Sequence, residues 1–467
     1  MSLNDGNAVE LHVAINGRDT NPGTEAAPLK TIQRAADLAQ PGDRVTVHGG
    51  VYRERICPPR GGLSEIQMIV YQAAEGEKVI IKGSVIVKDW IKIQDDAWKA
   101  VLPNSMFGGF NPFSDLISGD WFLPKNRQHH TGAVYLHGEW LREAATPWAP
   151  PTAKQIGVVS ALWCKGWIIE DNEISYSKCS GVALGKYGDE WDNTSADTAE
   201  GYVSTIHRAL SSGWNKATIG SHTVRNNHIH HCEQVGIVGS MGCSFSTVTG
   251  NLIHDIHTTC LFGGYETGGI KFHGAIDTII SRNHIYGCGD FSGIWLDWMC
   301  QGAQVTCNLM HDNSGSRGDF FLEMQHGPQL VANNLFLSTC SCQIVSKGVA
   351  FAHNLFTTPI KHQRFDERLT PFHHPHSTEL AGMREGDGWY LAVSQDTSWR
   401  GEVNRKLVTT ARLGKAIASS LAYDDLDGSE LRIATDYFGK KRDEMNPFPG
   451  PFEDVTSGSR MINVWVN

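Results

Sequence analysis

A short motif recurs between residues 172 and 356 of the chain: an asparagine followed two positions later by an aliphatic or aromatic residue. Its asparagines are Asn172, Asn227, Asn251, Asn283, Asn308, Asn334 and Asn354. The spacing between successive asparagines is 20 to 32 residues, except for one gap of 55 residues. Coils of this length with short strands are typical of a β-solenoid, and stacked asparagines can hydrogen-bond from coil to coil. The repeat therefore predicts an all-β fold, a right-handed parallel β-helix.

The first part of the chain has the pattern of a capped solenoid end. We predict an apolar strand at residues 11–15, an amphipathic helix at about residues 29–39 and a second strand at residues 44–48. Pro41 and Gly42 should stop the helix. Because an open solenoid end exposes unpaired backbone groups, it must be covered. We therefore expect an N-terminal cap helix over the first coil.

Long stretches without the motif predict loop insertions in the solenoid. One is rich in proline and tryptophan, and the other fills the longest gap between asparagines. The predicted organisation has four parts: a disordered or tag-derived start at 1–10, the cap at 11–60, β-helix coils at 61–360 with loop insertions at 88–160 and 186–219, and C-terminal loops and strands packing on the helix at 361–467.

Charge and motif content exclude several classes of function. The formal net charge is -10 and there is no run of lysine or arginine, so we expect neither nucleic acid nor a membrane surface as a partner. No H-E-x-x-H motif occurs, and no set of residues has convincing zinc-ligand spacing. We therefore expect no metal and no cofactor.

The cysteines indicate a reducing compartment. There are eleven, an odd number, spread through apolar strand-like segments without a C-x-x-C motif. This pattern favours buried free thiols over a disulfide framework. No signal peptide or membrane-spanning apolar run is apparent, so we expect a cytoplasmic protein.

Two carboxylates, Asp297 and Glu323, stand at matching positions of successive coils among aromatic and apolar neighbours. The segment GIWLDW aligns without gaps over DFFLEM. Equal phase on adjacent coils predicts direct stacking, at the strand spacing of roughly 4.8 Å. Retaining glycosidases use carboxyl groups about 5–5.5 Å apart, whereas inverting enzymes need about 6.5–9.5 Å. The pair thus predicts a retaining glycosidase, although the residues alone leave the two roles open.

Further polar residues fall near this pair. Aligning GGIKFH of the preceding coil with GIWLDW puts His273 beside Asp297, and Lys271 beside Trp295. Glu266 lies in a small loop just before. Gln325 and His326 directly follow Glu323. We predict that Glu266, Lys271, His273, Gln325 and His326 hydrogen-bond sugar hydroxyls.

Four segments resemble the β-xylosidases of glycoside hydrolase family 120. They are YGDEWDNTSADTAEGY (187–202), GIWLDW (293–298), the E-x-x-HGP motif (323–328) and PFHHPHST (371–378). The similarity runs from the cap to GPFED near the end of the chain. The resemblance implies a retaining enzyme on a right-handed parallel β-helix, with Asp297 as the nucleophile and Glu323 as the acid/base. It also implies an exo-acting β-1,4-xylosidase that releases xylose from xylo-oligosaccharides.

A pocket for one sugar unit needs walls on an open solenoid face. We expect the loops at 144–152, 186–219 and 361–378 to supply them. The tryptophans that we expect to stack on sugar are Trp148, Trp191, Trp295 and Trp298, and Glu190 and His374 are further candidates for substrate binding.

Two other functions stay open from the sequence. One is a polysaccharide lyase or polygalacturonase on the same fold, which would need basic residues or Ca²⁺ beside the site; Lys271 and Arg317 are the only basic candidates near Asp297. The other is a non-catalytic carbohydrate-binding solenoid. The choice between xyloside and arabinoside, and whether the chain forms a homo-oligomer, also stay open.

Overall fold

The computed structural model describes residues 8–63, 66–95, 97–118, 122–125, 127–136, 139–141, 157–161, 164–185, 208, 216–297, 300–323, 325, 327–362, 378–385, 388–395, 405–416, 420–454 and 458–466.

Three long parallel sheets form the body of the described chain, and from residue 157 to residue 356 each coil contributes one strand to each sheet. Sheet 1 consists of Glu10–Val13, Arg44–Val47, Ile69–Ala73, Trp167–Glu170, Thr223–Arg225, Thr247–Thr249, Ile279–Ser281, Gln304–Thr306, Gln329–Ala332 and Val349–Ala352. Sheet 2 consists of Gly157–Ala161, Ser180–Leu184, Val235–Gly239, Gly268–Phe272, Ser292–Leu296, Phe320–Glu323, Cys342–Val345 and Lys361–His362. Sheet 3 consists of Gly50–Tyr52, Val79–Lys82, Glu173–Ser175, His228–His230, Leu252–Ile256, His284–Cys288, Leu309–His311, Leu335–Phe336 and Leu355–Phe356. The predicted right-handed parallel β-helix is confirmed.

Smaller elements lie outside the three sheets. The pairs of short antiparallel strands are Ile91–Gln94 with Ala97–Lys99, Phe122–Leu123 with Gly263–Gly264, and Val134–Leu136 with Glu139–Leu141. Near the C-terminus, Thr378–Glu385, Gly388–Gln395 and Gly458–Val466 form an antiparallel sheet. Within the described residues, the helices are Ile32–Leu38 and Thr410–Leu413, with 3-10 turns at Asn104–Met106 and Met241–Cys243. No helix of the described residues is long and apolar enough to cross a membrane.

The cap helix begins later than the apolar pattern predicts. Thr31 is its N-cap, because Thr31 Oγ1 accepts a hydrogen bond from the Arg34 amide at 3.1 Å. Leu29, which the pattern placed inside the helix, instead donates from its amide to the His12 carbonyl at 2.9 Å. Leu29 therefore covers the edge of the first strand, and the helix covers the first coil through Ile32 and its buried alanines.

The recurring asparagines form a continuous hydrogen-bonded ladder. In each pair the side-chain Nδ2 of one asparagine donates to Oδ1 of the next, at 2.9–3.1 Å, from Asn172 through to Asn354. The preceding residue supplies the corner: Arg282 and Cys307 have φ of 53° and 58°, a left-handed conformation that few non-glycine residues adopt. The amide ladder satisfies polar groups that this corner would otherwise bury unpaired.

The interior of the coils is apolar, and the C-terminal segments cover two of the outer faces. Buried side chains from all three sheets, including Val305, Ile294 and Ile285, form one continuous core. Tyr437 and Phe452 pack on outward residues of sheet 3, and a second cluster packs on outward residues of sheet 1. Among the described residues, these C-terminal clusters do not include the strands of sheet 2 that carry the two carboxylates.

Candidate active site

The two carboxylates lie opposite one another at the ends of adjacent strands of sheet 2. The strands pair Ile294 with Phe320, Trp295 with Phe321 and Leu296 with Leu322, so Asp297 and Glu323 are the next pair in register. The register predicted from the sequence is thus confirmed. Side chains alternate along a strand, and the residues on either side of Trp295 and Phe321 point into the core. Asp297 and Glu323 therefore face outward.

The preceding strand extends this arrangement by one coil. Lys271 pairs with Trp295, and Phe272 pairs with Leu296, so His273 stands next to Asp297 as the sequence predicts. Two outward columns result. One contains Lys271, Trp295 and Phe321, and the other contains His273, Asp297 and Glu323.

The ammonium group of Lys271 is fully buried and joins the site together. Its Nζ lies 2.8 Å from Glu266 Oε1 and 2.8 Å from Asp297 Oδ2, and it also hydrogen-bonds His273 Nε2. Burial opposes its charge, but the carboxylates of Asp297 and Glu266 outweigh burial and raise the pKa of Lys271. Its three N–H groups already have protein partners in this structure, and a hydrogen bond from Lys271 to sugar stays a prediction.

Glu266 and His273 belong to the same cluster. His273 Nε2 lies 3.0 Å from Glu266 Oε1 and 3.3 Å from Asp297 Oδ2. Burial favours the neutral form of Glu266, but Lys271 and His273 outweigh it and hold the pKa of Glu266 below its ordinary value. Each of these two side chains is 14% exposed, so an edge of each remains open to a ligand.

One group of three described residues has the spacing of a metal site, and a cation of the protein already occupies it. Ligand atoms of Glu266, His273 and Asp297 all lie within 4.8 Å of one another. The ammonium of Lys271 makes close contacts with all three. A metal ion would have to displace this ammonium, so the donor set fits a lysine-centred ion cluster better than a metal centre.

Glu323 has a different environment from Asp297. Within the described part of the chain, its carboxyl group makes no hydrogen bond and no ion pair. Burial, and then the charge of Asp297, raise the pKa of Glu323, while the charges of Arg317, Lys271 and His273 partly offset them. Asp297 thus contacts a buried cation, whereas the environment of Glu323 favours its protonated form.

Gln325 connects the two strands instead of facing a ligand. Its Nε2 lies 2.7 Å from the Leu296 carbonyl, 3.0 Å from that of Asp297 and 2.8 Å from that of Glu323, and the residue is 4% exposed. A hydrogen bond from Gln325 to sugar stays a prediction, since its side-chain amide is bound to backbone carbonyls in this structure. Its amide ties together the strand ends that carry the two carboxylates, and so helps to fix their separation.

Trp295 is a packing residue in this structure. It is 1% exposed, its ring centroid lies 4.5 Å from Lys271 Nζ and 4.4 Å from Arg317 Cζ, and it packs against Phe321. A ring that stacks on a sugar needs an exposed face, which Trp295 lacks in this structure, and its stacking on sugar stays a prediction. The indole instead contacts two cations beside the carboxylates.

The remaining predicted ligand-binding residues lie outside the described residues. They are Trp148, Glu190, Trp191, Trp298, His326 and His374. Arg317 was not predicted to bind a ligand, although its guanidinium contacts Trp295 and Phe321 beside the carboxylates. Its position in a turn, outside the strand repeat, left only its nearness to Glu323 in the sequence as a signal.

Comparison with known proteins gives matches along most of the chain. Residues 87–166 match the family model of the glycoside hydrolase 120 insertion domain, and residues 157–356 match that of the right-handed β-helix region. Residues 15–57 match a family model of a protein of unknown function, DUF1565.

Two curated relatives match short segments only. The chain is 30% identical over 82 residues to the uncharacterized protein YwoF of Bacillus subtilis, covering 18% of this chain and 17% of that protein. It is 36% identical over 78 residues to the pectate lyase PEL9 of Emericella nidulans, covering 16% of this chain and 19% of that protein. The chain thus spans less than a fifth of the length of either relative.

A solved structure matches almost the whole chain. This is the structure of XylC in complex with xylose, which is 28% identical and has a TM-score of 0.85 over 98% of this chain and 100% of that one. Together with the match to the insertion domain, this similarity confirms the resemblance seen in the sequence motifs. The chain is built on a right-handed parallel β-helix, and it resembles glycoside hydrolase family 120 in its insertion domain and in its similarity to XylC.

Proposed function

We propose that the protein is a retaining, exo-acting β-xylosidase that releases xylose from xylo-oligosaccharides. The observation that carries the proposal is the unequal environment of two carboxylates in register on adjacent strands. Adjacent strands lie about 4.8 Å apart, which suits the separation of about 5–5.5 Å in retaining enzymes. The sugar and the exo mode rest on the family resemblance and on the similarity to XylC, which was solved with xylose bound.

The environments also support one assignment of roles. Asp297 contacts the ammonium of Lys271 at 2.8 Å, so a fixed cation holds this carboxyl group in place, as the position of a nucleophile requires. Glu323 has a raised pKa, caused first by burial and then by Asp297, which favours the protonated form that a general acid needs. Asp297 is therefore the nucleophile and Glu323 the acid/base, as the resemblance implies.

The reaction then runs in two displacements. In the first, an Asp297 oxygen bonds to the anomeric carbon, the bond to the leaving oxygen breaks, and Glu323 donates its proton to that oxygen. In the second, Glu323 takes a proton from water, the water oxygen bonds to the anomeric carbon, and the bond to Asp297 breaks. The sugar leaves with its original configuration, and both carboxyl groups return to their starting states.

The test combines a substrate panel with product analysis. Wild-type protein is assayed on 4-nitrophenyl β-xyloside, α-arabinoside, β-glucoside and on polygalacturonate, and the first-formed sugar anomer is followed by NMR. We expect the xyloside to be the best substrate and β-xylose to appear first. α-Xylose as the first product would refute retention, and cleavage of polygalacturonate without cleavage of any glycoside would favour the lyase alternative.

Variants of the carboxylates test the roles. Asp297→Ala and Glu323→Ala should each lose activity, and azide should restore it with opposite stereochemistry: an α-glycosyl azide from Asp297→Ala and a β-glycosyl azide from Glu323→Ala. Asp312→Ala is the matched control, because this carboxylate is 78% exposed and pairs with His311. Full activity in both alanine variants of the pair would refute their catalytic roles and favour a non-catalytic solenoid.

A further inference from the structure

Arg317 holds a guanidinium group against the aromatic column beside the carboxylates. Its Cζ lies 4.4 Å from the ring centroid of Trp295, 4.6 Å from that of Phe321 and 5.4 Å from that of Tyr265. Trp295 and Phe321 precede Asp297 and Glu323 by two residues on the same strands, which puts each ring on the same face and about 7 Å along the strand. The guanidinium therefore lies next to the place where a sugar would react.

The hydrogen-bonding capacity of Arg317 is incompletely used. Its Nη1 is buried and has no hydrogen-bond partner, and among the described residues no carboxylate forms an ion pair with Arg317. Arg442, an arginine that is 2% exposed, differs. It donates to Asn333 Oδ1 at 2.6 Å and to Glu453 Oε2 at 3.3 Å, and to backbone carbonyls besides.

An unpartnered buried N–H is costly, so such a group in a native site calls for a specific explanation. The aromatic rings hold the Arg317 guanidinium in place but offer it no oxygen acceptor. Lys271, the other cation of the site, has no such capacity left, because Glu266, His273 and Asp297 take its N–H groups. Arg317 is the cation of the described site that can still donate to a ligand.

We propose that Arg317 is a further substrate-binding residue, whose Nη1 N–H donates to an oxygen of the sugar bound between Asp297 and Glu323. The inference rests on the glycoside hydrolase function proposed above. The ligand chemistry is an oxygen acceptor on the sugar, which is either a hydroxyl group of a neutral pentose or the carboxylate of a uronic acid. The two sources make different predictions about the substrate.

The experiment compares wild type with Arg317→Met, which retains an unbranched apolar side chain over the rings, and with Arg317→Lys, which retains the charge but loses the fork of donors. Arg432→Met is the matched control, because Arg432 is 53% exposed and pairs with Glu444 far from the ligand-binding face. Substrates are 4-nitrophenyl β-xyloside, its 2-, 3- and 4-deoxy analogues, and 4-nitrophenyl β-glucuronide. Thermal melting checks that each variant is folded.

For a hydroxyl acceptor, we expect Arg317→Met to lower kcat/KM on the xyloside by about 10- to 100-fold, as for the loss of a hydrogen bond to a charged group. One deoxy analogue should then be hydrolysed equally by wild type and variant, because it lacks the acceptor that Arg317 binds. If the acceptor is a carboxylate, wild type should hydrolyse the glucuronide, and Arg317→Met should lower kcat/KM more on the glucuronide than on the xyloside. Arg317→Lys should recover only part of either loss.

The pH profile gives a second readout that a purely structural role would not change. The Arg317 charge works against the raised pKa of Glu323, so the alkaline limb of kcat/KM should move to higher pH in Arg317→Met and stay in place in Arg317→Lys. Equal kcat/KM in wild type and a folded Arg317→Met on every substrate would overturn the inference and leave the proposed function intact. A wild type inactive on every glycoside would instead overturn the proposed function.

Discussion

Replacement of Lys271 by methionine should destabilise the protein and inactivate it together. Lys271 Nζ lies 2.8 Å from both Glu266 and Asp297, whose side chains are 14% and 9% exposed. At an effective dielectric constant of about 20, each contact corresponds to about 6 kcal/mol of Coulomb attraction, largely offset by removing the charges from water. Breaking a buried pair by deleting one partner costs about 3–5 kcal/mol, because the stranded charges stay buried. We expect a loss of this size in the free energy of unfolding at pH 7.

The loss should depend on pH in a defined direction. The pKa of Glu266 is lowered in the folded protein. Its contribution to the free energy of unfolding is therefore present above the pKa of about 4.3 that it has in the unfolded chain, and is lost as the pH falls through its pKa in the folded protein. The pKa of Lys271 is raised. Its contribution to the free energy of unfolding is therefore complete below about pH 10.4, its pKa in the unfolded chain, and is lost as the pH rises through its pKa in the folded protein. The effect of Lys271→Met is therefore largest between about pH 5 and pH 10. It should shrink towards pH 4, where the stranded carboxylates take up protons.

Urea unfolding followed by tryptophan fluorescence at pH 7 and pH 4 measures this loss, and hydrolysis of 4-nitrophenyl β-xyloside measures activity. We expect kcat to fall by about 100-fold or more, because Asp297 loses the contact that holds it in place. Lys78→Met is the matched control: Lys78 also lies 2.8 Å from a carboxylate, that of Glu173, but it is 73% exposed. It should cost no more than about 1 kcal/mol. Equal losses in the two variants, or full kcat in Lys271→Met, would refute the role given to burial here.

Three further outcomes are expected. The raised pKa of Glu323 should place the alkaline limb of the kcat/KM profile above the ordinary glutamate pKa near 4.3. Glu323→Gln should remove that limb for substrates with an activated leaving group. An unchanged limb in this variant would contradict the role of Glu323 as the acid. Gln325→Ala should lower kcat by about 10- to 100-fold with little change in KM, because the variant loses the hydrogen bonds that join the strand ends carrying the carboxylates. A change in KM alone would instead indicate that Gln325 contacts the ligand. Asn283→Ala should lower the free energy of unfolding by about 3 kcal/mol or more in urea titrations, because it removes hydrogen bonds to Asn251 and Asn308; a loss below about 1 kcal/mol would show that the ladder is not stabilising.

Much of the fold could be predicted because a solenoid repeats the same local structure in each coil. The asparagine corner recurs in the chain at the spacing of a coil, so it predicts both the stacking and the phase of the strands. The pairing of Leu296 with Leu322, and hence the opposition of Asp297 and Glu323, follows from that phase. The start of the cap helix could not be read from hydrophobic periodicity alone, because the Thr31 cap sets it.

The partners of individual side chains were harder to predict. The alignment correctly placed Lys271 next to Trp295 and His273 next to Asp297, but it could not show which donors were already in use. Lys271 is committed to the carboxylates and Gln325 to backbone carbonyls, and both commitments depend on side-chain directions that a repeat does not encode. Arg317 comes from a turn between strands, where the repeat has no fixed phase at all.

The site is also compact along the chain. Every described residue assigned to it, from Glu266 to Gln325, comes from three successive coils, although the protein has 467 residues. Duplication or deletion of a whole coil before Gly263 or after Val345 would therefore lengthen or shorten the solenoid without changing which side chains meet at the reaction centre. In such an architecture the reach of the ligand groove and the chemistry performed in it can evolve separately, one by adding coils and the other by point substitution.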